Sequence, residues 1–388
     1  MNPFIFHAPT RVMFGENIAQ TTPEMVKEFG GCKVILVTDD VLLKTGILKP
    51  IIDAFKEDGL VELSIFSDVP PDSDITAVQA ATALAREQGC DTVISIGGGS
   101  VIDTAKVVAI CLTFGGDILD YQGDEQSSFP KLIPHISIPT TAGTGSEVSM
   151  VAMVKDAADG KKISFGSRFI APDIAFLDPT LLVTLPPRLT AATGLDAVTH
   201  AIEAYTSLQT VSPVTDLCCL ESLRMVFKYL PIATKDGANL EARANTLVAS
   251  TMAGIAFTNT GVGVVHALAH ATGGQFGTHH GMTNAVFLTH CMNFNLDVAG
   301  ERYANIARYL KLSDSKSDDV AAAALIDGVE KLSVAVGLPR RLRDMGVPEL
   351  VGDALRELGV LAETDPAIMF NAKEATLDDI VGIYERAY

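Results

Sequence analysis

The sequence predicts an α/β domain built on a parallel sheet, followed by an all-helical domain. Three observations carry this reading. Up to about residue 185, short apolar runs rich in β-formers alternate with helical patterns. Beyond that point long windows keep apolar residues at helical spacing, and no convincing strand appears. Pro186-Pro187 punctuates the change, so the domains are drawn at 1–185 and 186–388.

The strand runs are KVILVTD (33–39), VELSIFS (61–67), DTVISIG (91–97), HISIPTT (135–141) and IAFLDP (174–179). Helical stretches such as ITAVQAATALAREQG (75–89) separate them. This alternation implies a mainly parallel sheet covered on both faces, and the spacing resembles a doubly wound, Rossmann-like nucleotide-binding domain. In the second domain TAATGLDAVTHAIEAYTS (190–207), PVTDLCCLESLRMVFKYL (213–230) and SDDVAAAALIDGVEKLSVAV (317–336) read as helices. A cleft between two such domains is a common place for a ligand.

The net charge of −18 argues against nucleic acid and anionic membrane surfaces as partners. No apolar stretch reaches the length of a membrane span, and the first residues lack the pattern of a secretory signal. The six cysteines form no CxxC pair and read as free buried thiols. The expectation is a cytoplasmic, reduced protein.

SIGGGSVIDTAK (95–106) follows an apolar strand and opens a helix. Adjacent glycines allow close backbone approach, and the helix start offers free N–H groups and a positive dipole end to a phosphate. Ser100 and Asp103 lie in the first turn, where such residues also cap helices. The loop is neither GxGxxG nor GxxxxGK[ST], and a glycine-rich turn used only for packing is the plainer alternative. A second loop, PTTAGTGSEVS (139–149), also follows a strand, and its small hydroxylated residues suit a phosphate, a ribose or a nicotinamide amide. Asp39 ends the first strand, where an acid accepts from an adenosine ribose and repels a 2′-phosphate. That favours NAD over NADP, although Asp40 beside it competes for the role.

GLDAVTHAIEAY (194–205) places Asp196 and His200 four apart on one helical face, with Glu203 nearby. His266 and His270 repeat that spacing, and His279 and His280 follow. A carboxylate and several imidazoles on an apolar helical scaffold suit a divalent transition metal such as Zn or Fe. Spacing does not choose four ligands from these seven residues. His7, His135 and His290 lie outside the clusters and read as structural.

Together these stretches resemble the iron-containing alcohol dehydrogenase family over nearly the whole chain, from RVMFG (11–15) to DDIVGIYERAY (378–388). The strongest pieces are GGGSVIDTAK, PTTAGTGSEV, LTAATGLDAVTHAIEAY and the HALAH…HHG stretch. The resemblance implies an architecture like that of dehydroquinate synthase, with NAD(P) and one divalent metal, Fe2+ ahead of Zn2+, in the interdomain cleft. It implies Asp196, His200, His266 and His280 as ligands, with His270 near the reacting carbon as the candidate proton relay. His279 stands where relatives commonly have proline. For the cofactor the resemblance supports Asp39, Gly97, Gly98, Gly99, Ser100, Thr140, Thr141, Thr144, Ser149 and Lys162, beside Asp103 from the loop reading. Two stretches depart from the family: PPDSD (70–74) lacks its asparagine-proline pair, and FNAKEAT (370–376) lacks its asparagine-proline-arginine run. The tail is far in sequence from the motifs and is expected to matter little.

The implied activity is hydride transfer between NAD(H) and a metal-bound small primary alcohol or aldehyde, in a homo-oligomer with a dimer favoured. Alternatives are a hydroxyacid–oxoacid transhydrogenase or a 4-hydroxybutyrate dehydrogenase, and more remotely a lyase resembling dehydroquinate synthase.

Overall fold

The computed structural model describes residues 3–123, 131–156, 162–207 and 210–388. The chain divides into two units: His7–Thr184, and Leu185–Tyr388 with the few described residues ahead of His7.

The N-terminal unit runs β1 (Arg11–Phe14), α1 (Thr22–Glu28), β2 (Lys33–Val37), α2 (Asp40–Thr45), α3 (Lys49–Asp58), β3 (Glu62–Phe66), α4 (Ile75–Gln88), β4 (Thr92–Gly97), α5 (Gly99–Phe114), β5 (His135–Pro139), β6 (Val151–Lys155), β7 (Lys162–Gly166) and β8 (Ile174–Leu177). Six strands form a sheet in the order β1-β8-β5-β4-β2-β3, and every pairing is parallel. All residues of β4 and β5 are buried, as expected when helices cover both faces. Helix ends follow local chemistry. Asp74 caps α4 by accepting from the Ala77 N–H at 2.8 Å, and Gly89 ends it in the left-handed conformation.

Two features differ from the expected strand series. β1 is an edge strand of four residues with three of them exposed, so it carries no apolar alternation to detect. β6 and β7 form a separate antiparallel hairpin, too short for its pattern to stand out from the loops around it. What matters for function is strand order. β4 lies between β2 and β5, with Val37 opposite Ser95 and Gly97 opposite Pro139. The loops that leave these three strands therefore start side by side at the carboxyl edge of the sheet, where α/β folds bind ligands.

The second unit is helical: α6 (Pro187–Thr206), α7 (Pro213–Lys235), α8 (Leu240–Thr260), α9 (Val264–Phe276), α10 (His280–Tyr309), α11 (Asp318–Ala335), α12 (Asp353–Glu363) and α13 (Leu377–Ala387). From Thr190 to Thr206 every residue of α6 is buried, which makes it the central helix of this unit. Pro187 opens it at a position where the missing N–H costs nothing. No single helix among the described residues is long and apolar enough to cross a membrane.

His135, read as structural, opens β5 and is buried, with its Nε2 2.8 Å from Ser95 Oγ. Burial and the charge of Lys106 push its pKa from 6.5 to about 3. The folded chain therefore refuses a proton that the unfolded chain binds below 6.5. Between 6.5 and about 3 this group removes stability as pH falls, at about 1.4 kcal/mol per pH unit. Urea midpoints from pH 7.5 down to 5 should fall less steeply for His135→Leu than for the wild type. Equal slopes would show that the buried imidazole is not a source of acid lability.

Candidate functional site

The site is assembled on three helices of the second unit. α6 contributes Asp196, His200 and Glu203, α9 contributes His266 and His270, and α10 begins with His280. Donor atoms of Asp196, His200 and His266, all buried, lie within 4.8 Å of one another. His280 is part-exposed, and its Nε2 is 3.5 Å from Asp196 Oδ1. The His200 and His266 rings stack at 4.6 Å, and the His200 and Phe257 rings at 4.3 Å.

Glu203 fixes this arrangement. Its Oε2 takes the Nδ1 hydrogen bond of His266, which leaves the His266 Nε2 lone pair for a ligand. Its Oε1 accepts from the Val265 N–H at 2.8 Å, so one carboxylate joins α6 to the positive end of α9. Asn371 Oδ1 accepts from the next free amide, Val264 N–H, at 3.4 Å. Gly263 precedes the helix for a steric reason. A Cβ there would lie 2.8 Å from Asn371 Oδ1 and 3.1 Å from Glu203 Oε1.

The donor set fits a divalent transition metal: one carboxylate oxygen and three imidazole nitrogens on a buried scaffold. Among the described residues the ionic partners of Asp196 and Glu203 are histidines. Burial disfavours the charged form of His266, but the charge and hydrogen bond of Glu203, and then the charge of Asp196, outweigh it and raise its pKa. The cluster thus draws positive charge toward its centre, as a cation site should.

His270 stands beside the donors, its ring 5.3 Å from His280 and 5.9 Å from His266. Its Nδ1 bonds Asp365 Oδ2 at 2.9 Å. Burial raises the Asp365 pKa, while the hydrogen bond and charge of His270 lower it by more, leaving a carboxylate below its usual range. Asp365 was not among the sequence candidates, since a lone aspartate ninety-five residues away gives no spacing signal. The tail also corrects an expectation. Asn371 exchanges amide hydrogen bonds with Asn295 at 3.0 and 2.9 Å, so this segment packs on the site helices despite its distance in sequence. His279 is the residue before α10, and its carbonyl accepts from the Thr283 N–H.

In the N-terminal unit the glycine loop and the second loop touch. A Cβ on Gly99 would lie 2.7 Å from the Thr144 side chain, and one on Gly98 3.2 Å from Thr141. Gly97 is held equally close to Val101, at 2.6 Å. Packing alone therefore requires small residues here, alongside any need for ligand approach. Thr140 donates its N–H to the Gly97 carbonyl at 2.9 Å. Lys106 is fully buried and donates to Ser146 Oγ at 3.0 Å, Ser149 Oγ at 2.8 Å and the Val151 carbonyl at 2.7 Å. Burial lowers its pKa to about 8 despite Asp103 and Glu147 nearby. Asp103 accepts from Ser146 Oγ and from the Met153 N–H. Asp103 and Ser149 thus have an internal task, fastening α5 to the second loop.

Ser100 Oγ accepts from the Asp72 N–H at 3.2 Å, and Asp72 pairs with Lys162 at 3.1 Å. The departure at PPDSD is therefore tied to two of the cofactor candidates. Asp39 and Asp40 separate clearly. Asp39 is half-buried and caps α2 through the Leu42 N–H, whereas Asp40 is exposed and pairs with Lys44.

The model for the iron-containing alcohol dehydrogenases matches residues 9–179, and that for the C-terminal part of the Fe-containing alcohol dehydrogenase family matches 190–388. The NAD-dependent methanol dehydrogenase of Bacillus methanolicus is 36% identical over 383 residues, covering 98% of this chain and 99% of that one. The 1,3-propanediol dehydrogenase of Klebsiella pneumoniae is 35% identical, covering 99% of each. Among solved structures, a 1,3-propanediol oxidoreductase superposes with a TM-score of 0.95 at 34% identity over 100% of both chains. The sulfoacetaldehyde reductase of Bifidobacterium kashiwanohense, solved with NAD+, gives 0.89 at 32% identity, covering 100% of this chain and 99% of that one.

Gly281 supplies a test of the geometry. A Cβ there would lie 2.4 Å from the Ala192 carbonyl oxygen of α6, a backbone atom that cannot swing aside. Gly281→Ala should push α10 off α6, cost about 1–3 kcal/mol and weaken metal binding. Calorimetry on the metal-free protein and metal titration check both. Unchanged values would mean that the contact between these helices does not set the site.

Proposed function

The chain belongs to the iron-containing alcohol dehydrogenase family, and on that premise we propose that it transfers hydride between NAD(H) and a small primary alcohol or its aldehyde. The observation that carries the proposal is the buried convergence of Asp196, His200 and His266, with His280 at its rim and Glu203 behind it. Asp196, His200, His266 and His280 would hold one divalent ion, Fe2+ or Zn2+, which when bound supplies Lewis acidity toward the substrate oxygen.

The chain's own residues have defined tasks in this reading. Glu203 keeps His266 in one tautomer and orientation. Phe257 covers one face of His200 and contributes an apolar wall that excludes water. Asp365 holds the Nδ1 hydrogen of His270, which leaves Nε2 as the atom that accepts the hydroxyl proton during oxidation and returns it during reduction. In the other unit, the loops of Gly97–Ser100 and Thr140–Thr144 would cradle the dinucleotide phosphates and nicotinamide, with Asp39 on the adenosine ribose and Lys162 beside them. Lys106, Asp103 and Ser149 would act at one remove, by holding those loops in shape.

Substrate class comes from the relatives, which include a methanol and a 1,3-propanediol dehydrogenase. A panel of primary alcohols, diols and hydroxy acids with NAD or NADP, after loading with iron or zinc, tests it. NADH formation with a short primary alcohol is the expected result. Oxidation of a hydroxy acid that proceeds only with an added oxo acid as hydride acceptor, and leaves no net NADH, would indicate a transhydrogenase, whereas no oxidation of any alcohol would sink the dehydrogenase reading. His270→Ala should retain metal and lose roughly 10²- to 10⁴-fold in kcat. A normal rate would remove His270 from the proton path.

A further inference from the structure

Asn284 lies one turn beyond His280 on α10 and is fully buried. Its Nδ2 donates to Asp196 Oδ1 at 2.7 Å and stands 3.1 Å from His280 Nε2 and 3.3 Å from His266 Nε2. Its carbonyl Oδ1 is buried with no hydrogen-bond partner. An amide ordinarily satisfies both ends when buried, so this side chain gives up an acceptor bond to aim its NH2 group at the donor cluster. The Asp196 carboxylate can only accept, which is why the NH2 end and not the carbonyl end points inward.

We propose that Asn284 is a positioning residue of the metal centre, holding the Asp196 carboxylate so that Oδ1 is presented together with His266 and His280. A carboxylate on one hydrogen bond in a dry site has little rotational freedom left, and that bond meets no competition from water. The spacing makes the arrangement self-contained. His280 and Asn284 are four apart, so the helix that delivers one ligand also delivers the group that aligns another. The proposal rests on Asp196, His200, His266 and His280 being the ligands.

Zn2+ affinity, measured by competition with a chelator on the metal-free protein, tests it without recourse to activity. Asn284→Leu removes the donor while filling the space, and Asn284→Ala removes it without crowding. Both should raise the Kd about 10- to 100-fold, the usual cost of losing a group that orients a ligand. Asn293→Ala, at an exposed amide on the same helix, should leave it unchanged. In an Asp196→Ala background, Asn284→Ala should cost nothing more, because the partner it aligns is gone. Wild-type or tighter affinity in Asn284→Ala would overturn the proposal, as would an equal loss in both backgrounds. A wild-type protein that binds no Zn2+ would instead sink the ligand assignment on which it stands.

Discussion

Glu203 is the side chain on which the rest of the candidate centre depends. One buried carboxylate on α6 receives both the imidazole N–H of His266 and the Val265 amide in the first turn of α9. An anion at a helix start is favoured by the dipole and by the unpaired N–H groups there. Here that anion comes from a neighbouring helix and not from the cap position, which is held by Gly263. The consequence is geometric. The helix that carries His266 and His270 is tied to the helix that carries Asp196 and His200 by hydrogen bonds that include one to a candidate ligand, His266. Packing and chemistry are therefore set by the same group.

The two units solve related problems differently. In the helical unit the site helices are tied by side chains: Glu203 and Asn284 reach from one helix to another, and Asp365 and Asn371 reach α9 from the segment between α12 and α13. In the α/β unit, the two loops are brought together by the absence of side chains at Gly98 and Gly99 and by the buried ammonium of Lys106. A lysine at no exposure is costly, and three oxygen acceptors with Asp103 nearby offset that cost. The P-loop pattern places its lysine on the phosphates. This loop instead uses one from within the following helix to anchor the loop beside it.

The sequence is informative wherever candidate residues or elements follow regular spacing. Asp196/His200 and His266/His270 lie four apart on helices, and the five expected strand runs contain β2, β3, β4, β5 and β8. It was uninformative wherever partners meet only in space. Nothing in residues 360–375 announces that Asp365 reaches His270 or that Asn371 reaches the start of α9. Asparagine on a buried helix face has no motif, so nothing in the sequence but its spacing from His280 marks Asn284. The hairpin β6–β7 and the edge strand β1 lacked length and contrast. Which of Asp39 and Asp40 caps α2 and which faces solvent depends on the direction of each residue, which sequence does not contain.

The central claim is that one ion is held by Asp196, His200, His266 and His280. Anomalous diffraction from crystals of the zinc-loaded protein, recorded on both sides of the zinc edge, tests it most directly. The account predicts a single strong peak about 2.0–2.2 Å from one oxygen of Asp196 and one nitrogen of each histidine. A peak elsewhere, or no peak in crystals whose protein carries stoichiometric zinc, would contradict it.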